Sequence, residues 1–223
     1  MAGGPTFTPW QLARFGMTDE LQKFIEGNVA TYERNMKDES GCTALLWAAR
    51  SGHIDTIKYL LEVGSDVNSP GFGGLTALHH AVSESNEAVV TALLEKSADA
   101  NLRDASGATS LHVAASRGSV NIIGRLVEAK ADLNAQNNKG ARPLHFACLN
   151  GQMPCLKKLV EAGADVDAQD ERGDTPMHLA ARLGFEPCVA VLLGPCNRSL
   201  ANKAGKLPVD GAFDKNVASK LAL

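Results

Sequence analysis

Four histidines recur along the chain at a fixed interval of 33 residues: His79, His112, His145 and His178. Imidazole is a common metal ligand and proton carrier, so this ladder invites a metal-binding interpretation. A zinc ion holds its ligands at about 2.0–2.1 Å, whereas packed helices stand about 8–10 Å apart. Histidines one interval apart therefore cannot share a tetrahedral ion. The favoured alternative is structural, with each imidazole tying its own helical turn to the threonine and backbone before it, and no metal site is predicted.

Other patterns that could support catalysis are weak. Residues 71–76 are rich in glycine like a phosphate-binding loop, but they lack the lysine and the strand–loop–helix setting which that mechanism needs. No nucleophile, base and orienting group stand out as a set. The carboxylates of Glu20, Glu62 and Glu128 fall on helical patterns and are expected to be solvated. The sequence therefore predicts no catalytic residue, no cofactor and no enzymatic activity.

Each histidine belongs to a longer motif that the chain restates. In the stretch Thr76-Ala77-Leu78-His79-His80-Ala81, Leu78 recurs as Leu111, Leu144 and Met177, and Ala81 recurs as Ala114, Ala147 and Ala180. A fixed period between about 20 and 50 residues indicates an array of stacked supersecondary units. The motif resembles the Thr-Pro-Leu-His-x-Ala signature of the ankyrin repeat, met most fully by Thr175-Pro176-Met177-His178-Leu179-Ala180. The resemblance covers nearly the whole chain and implies an all-α solenoid of stacked helix–turn–helix units with β-hairpin or loop tips.

The period predicts a single ankyrin-repeat domain spanning residues 1–223. Five full repeats are predicted at 38–70, 71–103, 104–136, 137–169 and 170–202, between an N-terminal cap at 9–37 and a C-terminal cap at 203–223. The N-terminal cap is offset by 36 residues rather than 33, so about three extra residues are expected in the loop around 29–37. In the C-terminal cap Asp210 takes the place of the histidine, and a short second helix is predicted at roughly 216–221. End units of a solenoid are expected to be atypical because one side faces water.

Within each full repeat, a glycine-centred tip precedes a first helix, and a second helix follows a further break. The second helix carries apolar residues at i, i+3 and i+4, a spacing that lines one helical face. Ser97 and Lys130 stand where Gly64 and Gly163 end the second helix of other repeats, and Arg142 replaces the threonine of the motif. A helix end without its glycine is less stable, so the second and third repeats are predicted to be the softer ones.

The bulk composition limits the classes of partner. At 44% hydrophobic and 21% charged residues, the chain resembles a soluble globular protein, and a net charge of −3 offers no basic footprint for nucleic acid. No run of about 18 apolar residues is present, and the first residues lack the pattern of a signal peptide. Two of the five cysteines, Cys155 and Cys188, fall at equivalent repeat positions and are expected in the core. We therefore expect a reduced protein of the cytoplasm or nucleus, monomeric on its own, that binds neither nucleic acid nor membranes.

The resemblance also implies where a partner would bind, because ankyrin proteins line a concave groove with their repeat tips and the exposed side of each first helix. Carried over repeat by repeat, the predicted partner-binding residues for a protein or peptide ligand are Arg50, Phe72, Leu75, Glu84, Arg117, Leu149, Asn150, Arg172, Asp174, Arg182 and Leu183. Aromatic residues and arginines are enriched among interface hot spots, so an apolar, partly acidic polypeptide is the expected ligand. Against this, isolated exposed apolar residues are common on protein surfaces.

A second functional hypothesis comes from the resemblance alone. Asparagines that close an ankyrin repeat in the pattern Asp-apolar-Asn can be substrates of an asparaginyl hydroxylase in animals. Asn68, Asn101 and Asn134 match this pattern, whereas Asp167 cannot be modified and serves as an internal control. The simpler interpretation is that these side chains cap the hairpin loop.

These patterns predict a non-catalytic scaffold or adaptor that binds a polypeptide partner. The alternative is a regulatory subunit or assembly chaperone of a larger complex. The short N-terminal cap, the stretch Thr43-Ala44-Leu45-Leu46-Trp47-Ala48 and the overall length are similar to those of gankyrin-type proteasome-assembly ankyrin proteins, which would imply a proteasomal ATPase tail as partner. A binding module predicts affinity without turnover, and a chaperone predicts one stoichiometric complex. An enzyme predicts titrating groups clustered in one pocket.

Overall fold

The computed structural model describes residues 7–222, which form thirteen α-helices and two short 3-10 helices, with no β-strand in that range. The α-helices are α1 (Pro9–Arg14), α2 (Thr18–Gly27), α3 (Ala44–Ser51), α4 (Ile54–Glu62), α5 (Ala77–Ser83), α6 (Glu87–Glu95), α7 (Ser110–Arg117), α8 (Val120–Glu128), α9 (Pro143–Leu149), α10 (Met153–Glu161), α11 (Pro176–Leu183), α12 (Glu186–Leu192) and α13 (Lys215–Leu221). The 3-10 helices are Phe72–Gly74 and Pro208–Gly211. The predicted all-α repeat architecture is confirmed, and the repeat tips are hydrogen-bonded turns rather than strands.

Threonine begins the first helix of most repeats because its hydroxyl supplies a partner for an unpaired N–H of the first turn. Thr43 Oγ1 accepts from the backbone N–H of Leu46 at 3.3 Å. Thr76 and Thr175 accept in the same way from the histidine three residues later. In these two repeats the histidine ring also accepts from the threonine N–H, which completes a reciprocal capping box.

The second helices bury the face that their apolar spacing predicts. In all five repeats the first two residues of the apolar triplet are buried and the third is half-buried, as in Ile57, Leu60 and Leu61. Each buried large aliphatic side chain contributes about 1.5–3 kcal/mol, so the rows of equivalent residues form the main source of stability. None of the described helices combines the length and apolar character that a bilayer-crossing helix requires.

The helices group into two compact units, Met1–Ala105 and Ser106–Leu223. In the first unit α1 packs against α3 and α3 against α5, while α2, α4 and α6 pack in a second row. In the second unit α7, α9 and α11 pack in order, followed by the 3-10 helix at Pro208–Gly211, and α8, α10 and α12 form the second row. Each unit therefore places equivalent helices of successive repeats side by side. The division into one domain of five repeats stays a prediction.

The breaks between helices use left-handed backbone, which glycine adopts without strain. Gly118 and Gly184 end α7 and α11 with φ values of 80° and 72°. Ser97 and Lys130 hold φ values of 62° and 64° just beyond α6 and α8, where the equivalent Gly163 has 93°. A residue with a Cβ atom costs about 1–2 kcal/mol in this conformation. These two helix ends are therefore strained, while the relative softness of their repeats stays a prediction.

Candidate functional site

The repeated histidines are buried side chains that hold the backbone in place. His112 Nδ1 accepts from the backbone N–H of Thr109 at 3.1 Å and lies 2.9 Å from its hydroxyl oxygen. Because Nδ1 accepts, Nε2 carries the proton, and it donates to the carbonyl oxygen of Ala141, in the next repeat, at 3.1 Å. His178 repeats the same arrangement. The structural role predicted for the ladder is confirmed at these positions, and the bond to the following repeat is an addition that the sequence did not predict.

The fourth repeat keeps this arrangement although Arg142 replaces the threonine. His145 Nδ1 accepts from the backbone N–H of Arg142 at 3.2 Å, and Nε2 lies 3.1 Å from the carbonyl oxygen of Asp174. Burial lowers the pKa of His145, which keeps its ring neutral. The guanidinium of Arg142 is used elsewhere, in an ion pair with Asp165 at 2.9 Å. Within residues 7–222, no group of three or more histidine, cysteine or acidic side chains is arranged to hold a metal ion.

Two of the predicted hydroxylation positions, Asn68 and Asn134, and the control position Asp167 bind the backbone of the following repeat. At these three positions the side-chain Oδ1 atom accepts from a backbone N–H roughly one period later. The pairs, with the acceptor first, are Asn68 with Asp99, Asn134 with Asp165, and Asp167 with Asn197, at 2.9, 2.9 and 2.7 Å. The loop around Asn68 is capped instead by Asp66, whose carboxylate accepts from the Asn68 N–H at 2.9 Å. The Asn68 side chain therefore has a structural role, bonding a loop of the following repeat, and hydroxylation of the three asparagines stays a prediction.

The cysteines at equivalent repeat positions lie in the core, as predicted. Cys155 and Cys188 are buried free thiols. Burial raises the pKa of each to about 11. Both thiols therefore remain protonated at neutral pH, and a protonated thiol is a poor nucleophile.

Four of the predicted partner-binding residues lie in the first unit. Phe72 belongs to the 3-10 helix at the tip of the second repeat and is 80% exposed. Arg50 near the end of α3 and Glu84 just beyond α5 are exposed, whereas Leu75 is half-buried. Packing does not account for the phenyl ring of Phe72, because most of its surface lies in water.

A cluster that the sequence reasoning missed surrounds Trp47 in the same unit. The guanidinium carbons of Arg14 and Arg50 lie 4.9 and 5.5 Å from the centroid of the indole ring. The indole N–H donates to Asp38 Oδ2 at 2.7 Å, which fixes the orientation of the ring. A shallow depression of about 290 Å³ is bordered by both arginines, Trp47, Ser51 and Glu84. Cation–π contacts hold the two guanidinium groups beside the indole ring, and guanidinium N–H groups are suited to carboxylate recognition.

Two signals in the sequence could have revealed this cluster. Arg14 precedes Arg50 by the same 36 residues that relate the rest of the cap to the first repeat. Trp47 occupies the position that His80 holds in the second repeat. Burial, together with the nearby positive charge of Arg50, lowers the pKa of His80 to about 4. His80 is therefore neutral at physiological pH.

In the second unit, large apolar side chains are exposed at two predicted positions. Leu149 at the end of α9 is 49% exposed, and Leu183 at the end of α11 is 39% exposed. Arg117 and Arg172 are exposed as well. Asn150 is exposed but engaged, because its amide nitrogen donates to Ser116 Oγ at 3.1 Å. These side chains therefore occupy surface positions, and their contact with a partner stays a prediction.

Asp174 was predicted to be a partner-binding surface residue, but this is wrong because only 1% of it is exposed. Its carboxylate accepts from Arg182 and from Asn202, each at 2.7 Å. Burial alone would raise the pKa of the Asp174 carboxyl, but these hydrogen bonds outweigh burial and lower that pKa. Asp174 is thus an internal anchor of Arg182, and the tip position it occupies is not a free one.

Phe213 is a further exposed aromatic residue that the sequence reasoning did not select. It is 72% exposed, and its backbone N–H donates to the carbonyl oxygen of Ala181 at 2.9 Å. Its ring lies against Gly184, where a Cβ atom would approach Phe213 Cδ1 to 2.9 Å. Phe213 lies in the C-terminal cap, outside the 33-residue period, so the period gave no signal for it.

Comparison with known proteins places this helical repeat architecture in a family. The family model for ankyrin repeats (3 copies) matches residues 10–104, 89–170 and 111–204, and the chain belongs to the ankyrin-repeat family. Domains of this family generally mediate protein–protein interaction and are typically not enzymes.

Solved structures and a curated sequence relative agree with this assignment. The chain is similar to the ankyrin repeat domain of human ASB11, with a TM-score of 0.83 and 29% identity over 97% of each chain. It shares its fold with the ankyrin repeat domain of Bcl-3, described as a unique member of the IkappaB protein family, with a TM-score of 0.89 and 23% identity over 99% of this chain and 100% of that one. It is also 38% identical over 61 residues to the palmitoyltransferase akr1 of Aspergillus oryzae. That match spans 27% of this chain and 8% of the relative's length.

Proposed function

We propose that this protein is a non-catalytic scaffold that binds a polypeptide partner through the exposed ends of its first helices and the adjacent tips. The observation that carries this proposal is the 80% exposure of Phe72. Large aromatic side chains are depleted from exposed surfaces unless they serve recognition. The residues that build the repeat are used in packing and capping, so the positions left for recognition are the exposed ones.

The two units offer surfaces of similar composition. The first-unit surface consists of Arg14, Trp47, Arg50, Phe72 and Glu84, and it combines aromatic rings with two guanidinium groups. The second-unit surface consists of Arg117, Leu149, Arg182, Leu183 and Phe213. Arginine donates paired hydrogen bonds to carboxylates, and the apolar side chains favour burial against a partner. An apolar segment that carries acidic side chains is the ligand that fits both surfaces.

The test is affinity capture from a lysate, followed by titration calorimetry with the purified partner. An Arg50→Glu/Phe72→Ala variant is expected to raise the dissociation constant by about tenfold or more, because each hot-spot residue typically contributes more than about 1 kcal/mol to binding. Leu149→Ala/Leu183→Ala tests the second-unit surface in the same way. Lys58→Glu is the matched control, since Lys58 is exposed on α4 in the second row of helices.

The surfaces would be disproved as binding sites if a variant carrying Phe72→Ala, Leu75→Ala and Arg117→Ala bound the partner as tightly as the wild type. The alternative of a regulatory subunit or assembly chaperone predicts a single stoichiometric complex that survives gel filtration. Placement of the protein in the cytoplasm or nucleus remains part of this proposal.

A further inference from the structure

A second surface of the first unit, separate from the first-unit surface, forms a depression of about 950 Å³. It lies where α2 and α4 end and is closed on one side by the turns at 28–35. This is the segment where the cap is longer than a repeat by about three residues. The extra residues therefore form a wall on one side of the depression. The shorter connections of the other repeats lack the residues to form it.

That wall is fixed to the body of the unit on both sides. Asn35 Oδ1 accepts from the backbone N–H of Asp66 at 2.8 Å. The carbonyl oxygen of the next residue, Met36, accepts from the indole N–H of Trp10 at 3.1 Å. The Tyr32 ring packs edge-on against Phe24 of α2, with centroids 6.4 Å apart. Hydrogen bonds and ring packing among the protein's own residues thus hold the wall of the depression in place.

The lining carries an excess of negative charge. Glu26, Glu33 and Glu62 border the depression, against the single positive charge of Arg34. Arg34 runs along Gly64, with its Cδ 3.5 Å from the position where a Cβ atom on that glycine would lie.

Helix ends add to this negative potential. Both α2 and α4 end at the depression, and neither has a basic residue in its last turn. A helix C-terminus carries a partial negative charge that a nearby cation would offset. The two helix ends and the three carboxylates therefore favour a cationic occupant.

Apolar and aromatic side chains make up the rest of the lining. Ile25, Val29 and Val63 supply aliphatic surface, and Tyr32 and Tyr59 supply aromatic rings. The faces of aromatic rings attract cations, and the aliphatic walls suit an alkyl stem. A bare divalent metal ion would instead need several converging oxygen ligands, and no such group of acidic, histidine or cysteine side chains occurs in the part of the chain that the structure describes.

We propose that this depression is a second docking site, which binds a basic segment of a partner polypeptide by receiving one lysine or arginine side chain. The alkyl part of that side chain lies against the aliphatic and tyrosine walls, and its cationic end lies among the carboxylates. This site differs from the proposed scaffold surfaces in both position and charge. A partner could therefore be lost from one surface without being lost from the other.

The experiment is a titration of the isotope-labelled full chain, followed by amide chemical shifts. The probe is a blocked peptide, Gly-Gly-Lys-Gly-Gly, compared with peptides carrying arginine, norleucine or glutamate in place of lysine. Shifts are expected at residues 25–35 and 59–64 with the lysine and arginine peptides and not with the glutamate peptide. Norleucine has the stem without the charge and should bind more weakly. Binding should also weaken as sodium chloride is raised from about 50 to 300 mM, because exposed charges are screened over that range.

A Glu33→Gln/Glu62→Gln variant is expected to bind the lysine peptide about fivefold more weakly, because it loses two partly screened ionic contacts. The matched control is Glu20→Gln/Glu95→Gln, which makes the same change in net charge. Glu95 is exposed at the end of α6, one period after Glu62, and lies outside the depression. Equal weakening by the two variants would overturn the proposal, as would shifts spread over the whole surface. Norleucine binding as tightly as lysine, or no shifts at millimolar peptide, would also refute it.

Discussion

Replacement of Ser97 by glycine is expected to stabilise the protein, because this residue ends α6 in a conformation that disfavours a side chain. Its φ of 62° lies in the left-handed region, where Gly64, one period earlier, has a φ of 89°. Relief of that conformation is worth about 1–2 kcal/mol. The greater conformational freedom of glycine in the unfolded chain lowers the free energy of unfolding by about 0.4–1 kcal/mol. The net gain in the free energy of unfolding is therefore about 0.8 kcal/mol, the middle of a range of about 0–1.6 kcal/mol.

The measurement is urea denaturation followed by circular dichroism, with native-state hydrogen exchange at the amides around α6. A true change in stability moves the midpoint and leaves the m-value unchanged. The reciprocal control is Gly163→Ser in the second unit, where φ is 93° and no atom lies within 4 Å of the new Cβ position. Because that site is open, the backbone is the main source of the cost, and a loss of about 0.5–1 kcal/mol is expected. A destabilised Ser97→Gly protein beside an unaffected Gly163→Ser protein would refute the reasoning.

Two further substitutions test the groups buried in the first unit. His80 has its pKa lowered by burial and by Arg50 to about 4 from 6.5, so below about pH 6.5 the unfolded state binds a proton that the folded state does not. The free energy of unfolding should therefore fall as the pH falls. Allowing for partial solvent screening, its loss between pH 7 and pH 5 should be about 1–2 kcal/mol larger in the wild type than in His80→Gln. Parallel stability–pH curves for the two proteins would contradict this prediction. The hydroxyl of Tyr32 is buried without a hydrogen-bond partner, so Tyr32→Phe should leave thermal stability unchanged or raise it by about 1 kcal/mol. Tyr59→Phe is the control, and a clear loss in Tyr32→Phe alone would show that the hydroxyl is hydrogen-bonded after all.

The period of the sequence was enough to predict the fold because each repeat contains the residues that determine its own local structure. Threonine caps, apolar triplets and helix-ending glycines all occur at fixed offsets, and they favour the same helix pair. Even the exceptions followed from single residues, as Ser97 and Lys130 adopt positive φ where glycine is missing. The same reasoning placed the last helix at 216–221, close to its observed span of Lys215–Leu221.

The candidate sites were harder to predict, because they depend on contacts between repeats. Asp174 falls at a tip position that suggested exposure, but Asn202, 28 residues later, buries it by a hydrogen bond. The Trp47 cluster needs Arg14 from the cap, and the acidic depression needs an insertion that breaks the period. Phe213 also lies beyond the regular period. A periodic pattern indicates what successive units share, so features formed by their differences do not appear in it.

The side-chain bonds made by the repeated histidines and asparagines run in one direction between repeats, and this bears on which end of a unit could be shortened. Within the second unit, His112 and Asn134 each reach forward from side-chain atoms to main-chain atoms of the next repeat. At these two bonds, removing the later repeat would leave a ring nitrogen and an amide oxygen to be hydrated. Deleting an earlier repeat would strip partners from the peptide groups of a tight turn, which has fewer ways to rearrange. Stepwise truncation should therefore be tolerated better from the carboxyl side than from the amino side.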